Sequence, residues 1–310
     1  MLARLQAGLV FIALGAALAW SGWAWRQGLA PGVWLAGLAL ALAPHAPVLA
    51  LEFLLLAWFG RDARAPRASA GQLLRAWAGE VLTGLRVFGW RQPFAADREA
   101  DVPARPGRTG VLLLHGYVCN RGLWAPWLRR LRQAGVPCRA LTLAPVFGHI
   151  QTWRPQIEAA VVALQAQTGR PPLLVGHSMG GLAIRDWLAA QPDAAAADAR
   201  VAGVVTIGTP HRGTWLARWG FSANARQMRQ GSPWLAALAA AETPARRSRF
   251  TCFYSHADNV VFPAGHATLD GADNRHLPGA AHMQLVFEAP VLAEVLRRVA
   301  APAPASALMS

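Results

Sequence analysis

A serine set between glycines, Gly176-His177-Ser178-Met179-Gly180, is the group in this sequence best placed for covalent chemistry. The apolar run Leu173-Leu174-Val175 leads into it, and an amphipathic segment follows from Leu182 to Ala190. That spacing predicts a strand, a very tight turn and a helix, the context a G-x-S-x-G nucleophile requires. A Cβ at position 176 or 180 would collide where the turn presses backbone on backbone. The serine is thereby forced outward at the end of a buried strand. The helix that starts there offers free N–H groups and a positive dipole end to a developing oxyanion. The N–H of Met179 is one donor of such a hole, and the loop after the first core strand would supply another.

A serine hydroxyl is a weak nucleophile and needs a base within hydrogen-bond reach, itself oriented by an acid. Six aspartates follow Ser178: Asp186, Asp193, Asp198, Asp258, Asp270 and Asp273. Asp186 falls on the nucleophile helix, and Asp193 and Asp198 in an alanine-rich loop. Asp258 stands just past an apolar strand at 250–255, where strand ends converge on the active edge of an open sheet. Among the later histidines, His266 sits in a loop and His276 within a short strand. His282 follows a glycine-alanine turn before the last helix. His177 reads as a packing or supporting residue. His211 and His256 fit either the rim of a site or ordinary turn roles.

These groups need a scaffold, and the chain from Gly110 onward supplies the pattern of one. Apolar strands are expected at 111–114, 138–143, 173–177, 201–207, 250–255 and 274–277. Helices are expected around Trp124, Trp127 and Leu131, over 156–167, after Ser178, and over 283–299. Such alternation predicts an α/β fold, a mostly parallel sheet with helices on both faces.

Several pieces of this region resemble the α/β-hydrolase fold and, within it, the bacterial lipase and esterase branch. They are His115-Gly116, the Ser178 turn with Gly181, and Thr206-Ile207-Gly208-Thr209-Pro210-His211-Arg212-Gly213. Ser255-His256-Ala257-Asp258-Asn259-Val260-Val261, Leu269-Asp270-Gly271-Ala272 and Gly279-Ala280-Ala281-His282 complete the set. The pieces occur in the family's order. The resemblance implies partners in the order serine, acid, histidine. It matches the acid to Asp258 and the base to His282, with His276 in reserve, and it implies the N–H of Tyr117 as the second oxyanion donor beside Met179. Some bacterial lipases carry structural calcium, but no acidic cluster supports carrying that over, and no metal or cofactor is expected.

Composition narrows the partners. The formal charge of +14 comes from arginine alone, for the chain has no lysine, and the arginines are scattered. No basic patch for nucleic acid is expected, and contact with anionic lipid headgroups is left open. Cys119, Cys138 and Cys252 give neither a disulfide framework nor a metal spacing. Nothing around Cys119 would activate its thiol. A hydrophobic content of 54% points to a membrane portion.

That portion is at the N-terminus. Residues 5–25 are uncharged and match the roughly 20 residues of a spanning helix. A second apolar stretch, 29–59, carries one charge, Glu52, and the prolines Pro31, Pro44 and Pro47. Its length predicts a single tilted or kinked span, with His45 near the kink. A cleavable signal peptide competes for the first span, with Ala17-Leu18-Ala19 as the cleavage site. Arg61, Arg64, Arg67 and Arg75 after the second span, against Arg26 between them, predict a hairpin with both ends in the cytoplasm. Cleavage of the first span would reverse this.

Three regions result: a membrane anchor over 1–60, an arm and linker over 61–109, and a catalytic region over 110–310. In the arm, Leu73, Trp77, Val81, Leu85 and Phe88 recur at helical spacing, with Arg75, Glu80 and Arg86 on other faces. It would lie on the bilayer or pack on the catalytic region. A cap insertion is expected at about 211–248, rich in Trp215, Trp219, Phe221, Met228 and Trp234. Its aromatics would suit an acyl chain or a membrane surface, or simply pack on one another. The expectation is a membrane-anchored serine hydrolase for lipid-like carboxylic esters, with no obligate protein partner inferred. Acyl transfer or thioester cleavage on the same triad, and a non-catalytic binding scaffold, are the alternatives.

Overall fold

The structure, a computed structural model, describes residues 1–103 and 105–300. Six strands form one sheet in the order β2-β1-β3-β4-β5-β6. They are β1 (Val111–Leu114), β2 (Cys138–Ala140), β3 (Leu173–His177), β4 (Gly203–Ile207), β5 (Phe250–Tyr254) and β6 (Asp273–His276). Every neighbouring pair is parallel; Leu113 lies opposite Val175, and Val175 opposite Val205. The fold is therefore the α/β class that the alternation predicts.

Strand side chains alternate between two helical layers. Leu112, Leu114, Leu174 and Val204 pack with the helices Arg154–Thr168 and Met179–Ala189. Val111, Leu113, Val175 and Val205 pack with Ala125–Gln133 and Ala289–Ala300. Both faces of β1, β3, β4 and β5 are buried, so their sequences read as mainly apolar runs, with His177, Thr206 and Thr251 as buried polar members. At roughly 1.5–3 kcal/mol for each buried Leu or Val, these layers fix the strand ends firmly. Strand order reverses direction at β1, which pairs with β2 on one side and β3 on the other. Ligands of such sheets bind outside the carboxyl ends at this switch point, where Gly116, Tyr117 and Ser178 lie.

Within the sheet region, two differences from the sequence expectation stand out. β2 ends at Ala140 instead of running to 143. The helix expected over 283–299 is split into a 3₁₀ turn, Gln284–Phe287, and the helix Ala289–Ala300. Glu288 between them is extended, and Pro290 sits in the first turn of the second piece, a position that proline's fixed φ favours.

The N-terminal part comprises α1 (Leu2–Arg26), α2 (Pro31–Leu42), α3 (Ala46–Phe59) and α4 (Ala70–Arg86). α1 is long and apolar enough to cross a membrane, a test that an anchor and a signal sequence both pass. α2 folds back on it, and Trp20 Nε1 donates to the carbonyl of Trp34. The second apolar stretch breaks between α2 and α3 with a bend of 80°. That is sharper than a kink within one helix. His45 stands at the break, its Nε2 3.1 Å from the carbonyl oxygen of Val81. α3 then lies on the catalytic region, where Phe53 and Leu56 join Ala76, Ala257, Phe262 and Ala281 in a small core.

α4 begins with a capping box in which Ser69 and Gln72 each satisfy the other's backbone N–H. It packs on the catalytic region, and of the stripe the spacing predicts Leu73, Trp77 and Phe88 pack against the cores while Leu85 is exposed. The most deeply buried line runs beside that stripe, through Ala76, Glu80 and Gly84. The small residues permit close approach, and Glu80 is buried because backbone N–H groups meet its carboxylate.

Candidate active site

Ser178 terminates β3 with φ 54° and ψ −126°, a conformation rare for a residue with a side chain. Such strain costs on the order of 1–3 kcal/mol and persists only where the surroundings enforce it. The glycines do so. A Cβ on Gly176 would stand 2.5 Å from the amide nitrogen of Gly181, and one on Gly180 would strike the carbonyl oxygens of Leu114 and His115. Met179 is the first residue of the helix that follows, so its N–H lies at the positive end.

His282 and Asp258, brought from two loops beyond β5, form a buried pair. The imidazole Nδ1 is 2.9 Å from one carboxylate oxygen and 3.0 Å from the other. The N–H groups of Val260 and Val261 also donate to Asp258 Oδ1, at 2.9 and 2.8 Å. A proton on Nδ1 facing the carboxylate leaves Nε2 as the basic nitrogen. Burial works against the charged imidazolium, yet the Asp258 and Glu80 carboxylates outweigh it and raise the His282 pKa above its ordinary value. Gly208, at φ 53°, passes so close that a Cβ there would lie 3.0 Å from Asp258 Oδ2 and 3.2 Å from His282 Nδ1.

The loop after β1 is clamped by His115. Its Nδ1 donates to the carbonyl of Gly116 at 2.8 Å, and its Nε2 accepts the N–H of Leu143 at 2.9 Å. Burial pulls its pKa down to about 4, so the ring stays neutral and can do both. The loop runs beside the nucleophile: a Cβ on Gly116 would be 2.9 Å from Ser178 Cβ. Tyr117 follows, and its hydroxyl is 3.0 Å from Ser222 Oγ in the cap.

Ser178, His282, Tyr117 and His177 line one cavity of about 370 Å³. The segment expected as a cap covers one side with Leu216, Ala217 and Met228. It also leaves Trp219 and Phe221 exposed, while Leu235 and Leu238 pack into the main core. His177 stays neutral, its pKa held well down by burial, and its Nε2 is 3.3 Å from the carbonyl of His282. That is the supporting role its position implies. His276 pairs with His256 at 2.9 Å, away from this cavity. His211 is buried against Thr206 and Arg185. Cys119 lines the cavity, but burial pushes its thiol up to about 12. Among the described residues no group of His, Cys, Asp and Glu is gathered as a metal site.

Three further residues bear on the site, and sequence reasoning gave none of them a role in it. Glu80 accepts the N–H of Met283 at 2.8 Å and that of Gln284 at 3.3 Å, the two residues after His282. Asn259 Oδ1 accepts the N–H of His282 at 3.2 Å, while its Nδ2 donates to Glu52 at 2.6 Å. Asn259 had a signal, since it is adjacent to Asp258. Glu52 and Glu80 had only that of a charge recurring among apolar residues.

A family model described as the alpha/beta hydrolase family matches residues 111–307. Among solved structures, the chain is similar to Bacillus licheniformis lipase BlEst2 in mature form, at 18% identity over 63% of this chain and 94% of that one, TM-score 0.54. It is similar to Aspergillus fumigatus lipase B at 19% identity over 64% and 54% of the two chains, TM-score 0.56. For phospholipase PlaB from Legionella pneumophila the values are 14%, 63% and 60%, with a TM-score of 0.51. The match thus spans little more than half of the latter two proteins. At these identities the likeness is one of fold. No curated protein matches the chain.

Proposed function

The chain belongs to the alpha/beta hydrolase family, and from that premise we propose that it is a membrane-anchored serine hydrolase cleaving carboxylic esters that carry an acyl chain. One observation carries the reading: His282, hydrogen-bonded to the buried Asp258, lines together with Ser178 a cavity walled largely by apolar side chains. In this reading Ser178 Oγ attacks the ester carbonyl carbon as His282 Nε2 takes the hydroxyl proton. The N–H groups of Met179 and Tyr117 receive the oxyanion, each worth on the order of 3 kcal/mol in the barrier. Collapse breaks the C–O bond, and the alcohol leaves with the proton from His282. Water then repeats the sequence on the acyl-enzyme and frees the acid. The anchoring is supported by α1, and Gln6 near its start bonds to Gln92 and to the carbonyl of Val118, so the catalytic region lies at the N-terminal end of that helix. With the arginine distribution, this favours the cytoplasmic side.

The test is labelling by a small alkyl fluorophosphonate together with hydrolysis of a p-nitrophenyl ester by detergent-solubilised full-length protein. Both are expected in the wild type and absent in Ser178→Ala. Labelling that persists in Ser178→Ala would refute the assignment. Product analysis with and without an added alcohol separates hydrolysis from acyl transfer.

A further inference from the structure

We propose that the apolar groove between α1, α3 and α4 seats the acyl chain of the ester, and that the chain reaches Ser178 sideways from the bilayer. This rests on the ester-hydrolase reading above. The groove encloses about 590 Å³ and is walled by residues such as Leu9, Ala13, Leu42, Leu85 and Phe88. It adjoins the cavity of Ser178 and His282, and Leu49, Glu80, Phe88 and Met283 belong to both walls. Met283 is the residue after His282, so the partition between the two spaces is itself part of the catalytic loop.

The chemistry of the wall selects the occupant. It has three polar side chains, and each is engaged with protein: Gln6 donates through Nε2 to Gln92 and Val118, leaving only its buried Oε1 unpartnered, His45 meets the Val81 carbonyl, and Glu80 takes the Met283 and Gln284 N–H groups. What remains is hydrocarbon, which favours an alkyl chain over water or a headgroup. The width is kept by glycine. A Cβ on Gly89 would meet nothing within 4 Å, so the space beside it is vacant. The outer wall is α1, the helix long and apolar enough to span a bilayer, and Leu9 and Leu14 on it are exposed. A chain in this groove therefore has lipid on one side and the nucleophile beyond the other. The exposed cap aromatics Trp219 and Phe221, on either side of the cavity-lining Gly220, mark a second approach.

A long-chain alkyl fluorophosphonate with a diazirine at its far end distinguishes the two. Its phosphorus bonds to Ser178 Oγ with loss of fluoride, which tethers the chain at the nucleophile. Full-length protein in phospholipid nanodiscs is labelled, illuminated and mapped by peptide mass spectrometry. Adducts are expected on α1, on α4 and on the turn Val87–Arg91 that follows it, at residues such as Ala13, Leu85 and Phe88. Adducts confined to Trp219, Phe221 or other cap positions overturn the proposal. Absence of any label at Ser178, from this reagent or the small one, instead overturns the hydrolase reading beneath it. A kinetic arm uses Gly89→Phe, which fills the vacant space: the ratio of kcat/KM for hexadecanoyl over butanoyl p-nitrophenyl ester should fall about tenfold. An unchanged ratio in a variant that still labels at Ser178 counts against the groove.

Discussion

The carboxylate of Glu80, on a helix that lies outside the family match, accepts the backbone N–H of Met283 at 2.8 Å. The family core thus receives one of its catalytic-loop contacts from the N-terminal arm. Burial raises the Glu80 pKa to about 7, against a smaller lowering by the Met283 N–H. Two pH effects follow. Below about 4.5 the group is protonated in both folded and unfolded chains; between there and about 7 only the folded chain keeps the proton. Stability from this group is therefore complete at the acid end and lost as pH rises through about 7, by roughly 3 kcal/mol. Glu80→Gln should flatten that slope in thermal unfolding series.

The same carboxylate helps hold the His282 pKa above its usual 6.5. Since the base must be neutral, activity should rise with pH along a limb that lies above that value. In Glu80→Gln the limb should move toward acid. A limb that stays in place would show that Glu80 only braces the loop and does not act on the imidazole.

Gly208 is expected to tolerate no side chain. Its φ of 53° disfavours one, and a Cβ would press on both members of the His282–Asp258 pair. Gly208→Ala should lower kcat about 100-fold, the scale of loss for a displacement near 1 Å. Far-ultraviolet circular dichroism should be unchanged. A variant of wild-type activity would mean that the pair has room to shift.

For Asp258→Asn the direction comes from the loop amides. Val260 and Val261 donate to Oδ1, so an asparagine keeps its oxygen there and turns its NH₂ toward His282. The ring must then accept at Nδ1 and carry its proton on Nε2, where it cannot take one from Ser178. A loss of roughly 10⁴-fold in kcat is expected, the scale such a change has in serine hydrolases of this geometry. Fluorophosphonate labelling rates measure it independently of substrate.

Behind the site, Arg185 and Glu242 form a fully buried bidentate pair at 2.6 and 2.8 Å, and Arg185 also donates to the carbonyl of His211. Arg185→Met would leave Glu242 only Arg247, at 3.4 Å. The expected destabilisation is about 3 kcal/mol, or roughly 5–10 °C in Tm. A smaller change in differential scanning fluorimetry would mean that the carboxylate finds water.

The nucleophile turn was legible because its demands are local: the clearance around Gly176 and Gly180 is set by residues within one turn and by the adjoining β1. Asp258 and His282 were legible by place, each just past a strand and each in a motif. Glu80 was not, since its partners are backbone amides about 200 positions away, and amides have no residue type to read. In α4 the periodicity found Leu73, Trp77 and Phe88, which do pack on the cores, but not the deeper line of Ala76, Glu80 and Gly84 beside them, because small residues and an anion do not register as an apolar face. In the second apolar stretch, Pro44 announced a break, but the 80° turn is set by what α3 packs against.

Gln6 ties the start of α1 to Gln92 and to the β1 loop, and the same helix forms a wall of the groove. If α1 is the anchor and the groove seats the acyl chain, as proposed above, tether and selectivity filter are one piece of polypeptide. Trimming the leader to gain solubility, or exchanging it for a foreign anchor, would yield a protein that keeps its nucleophile and forgets which chains it prefers.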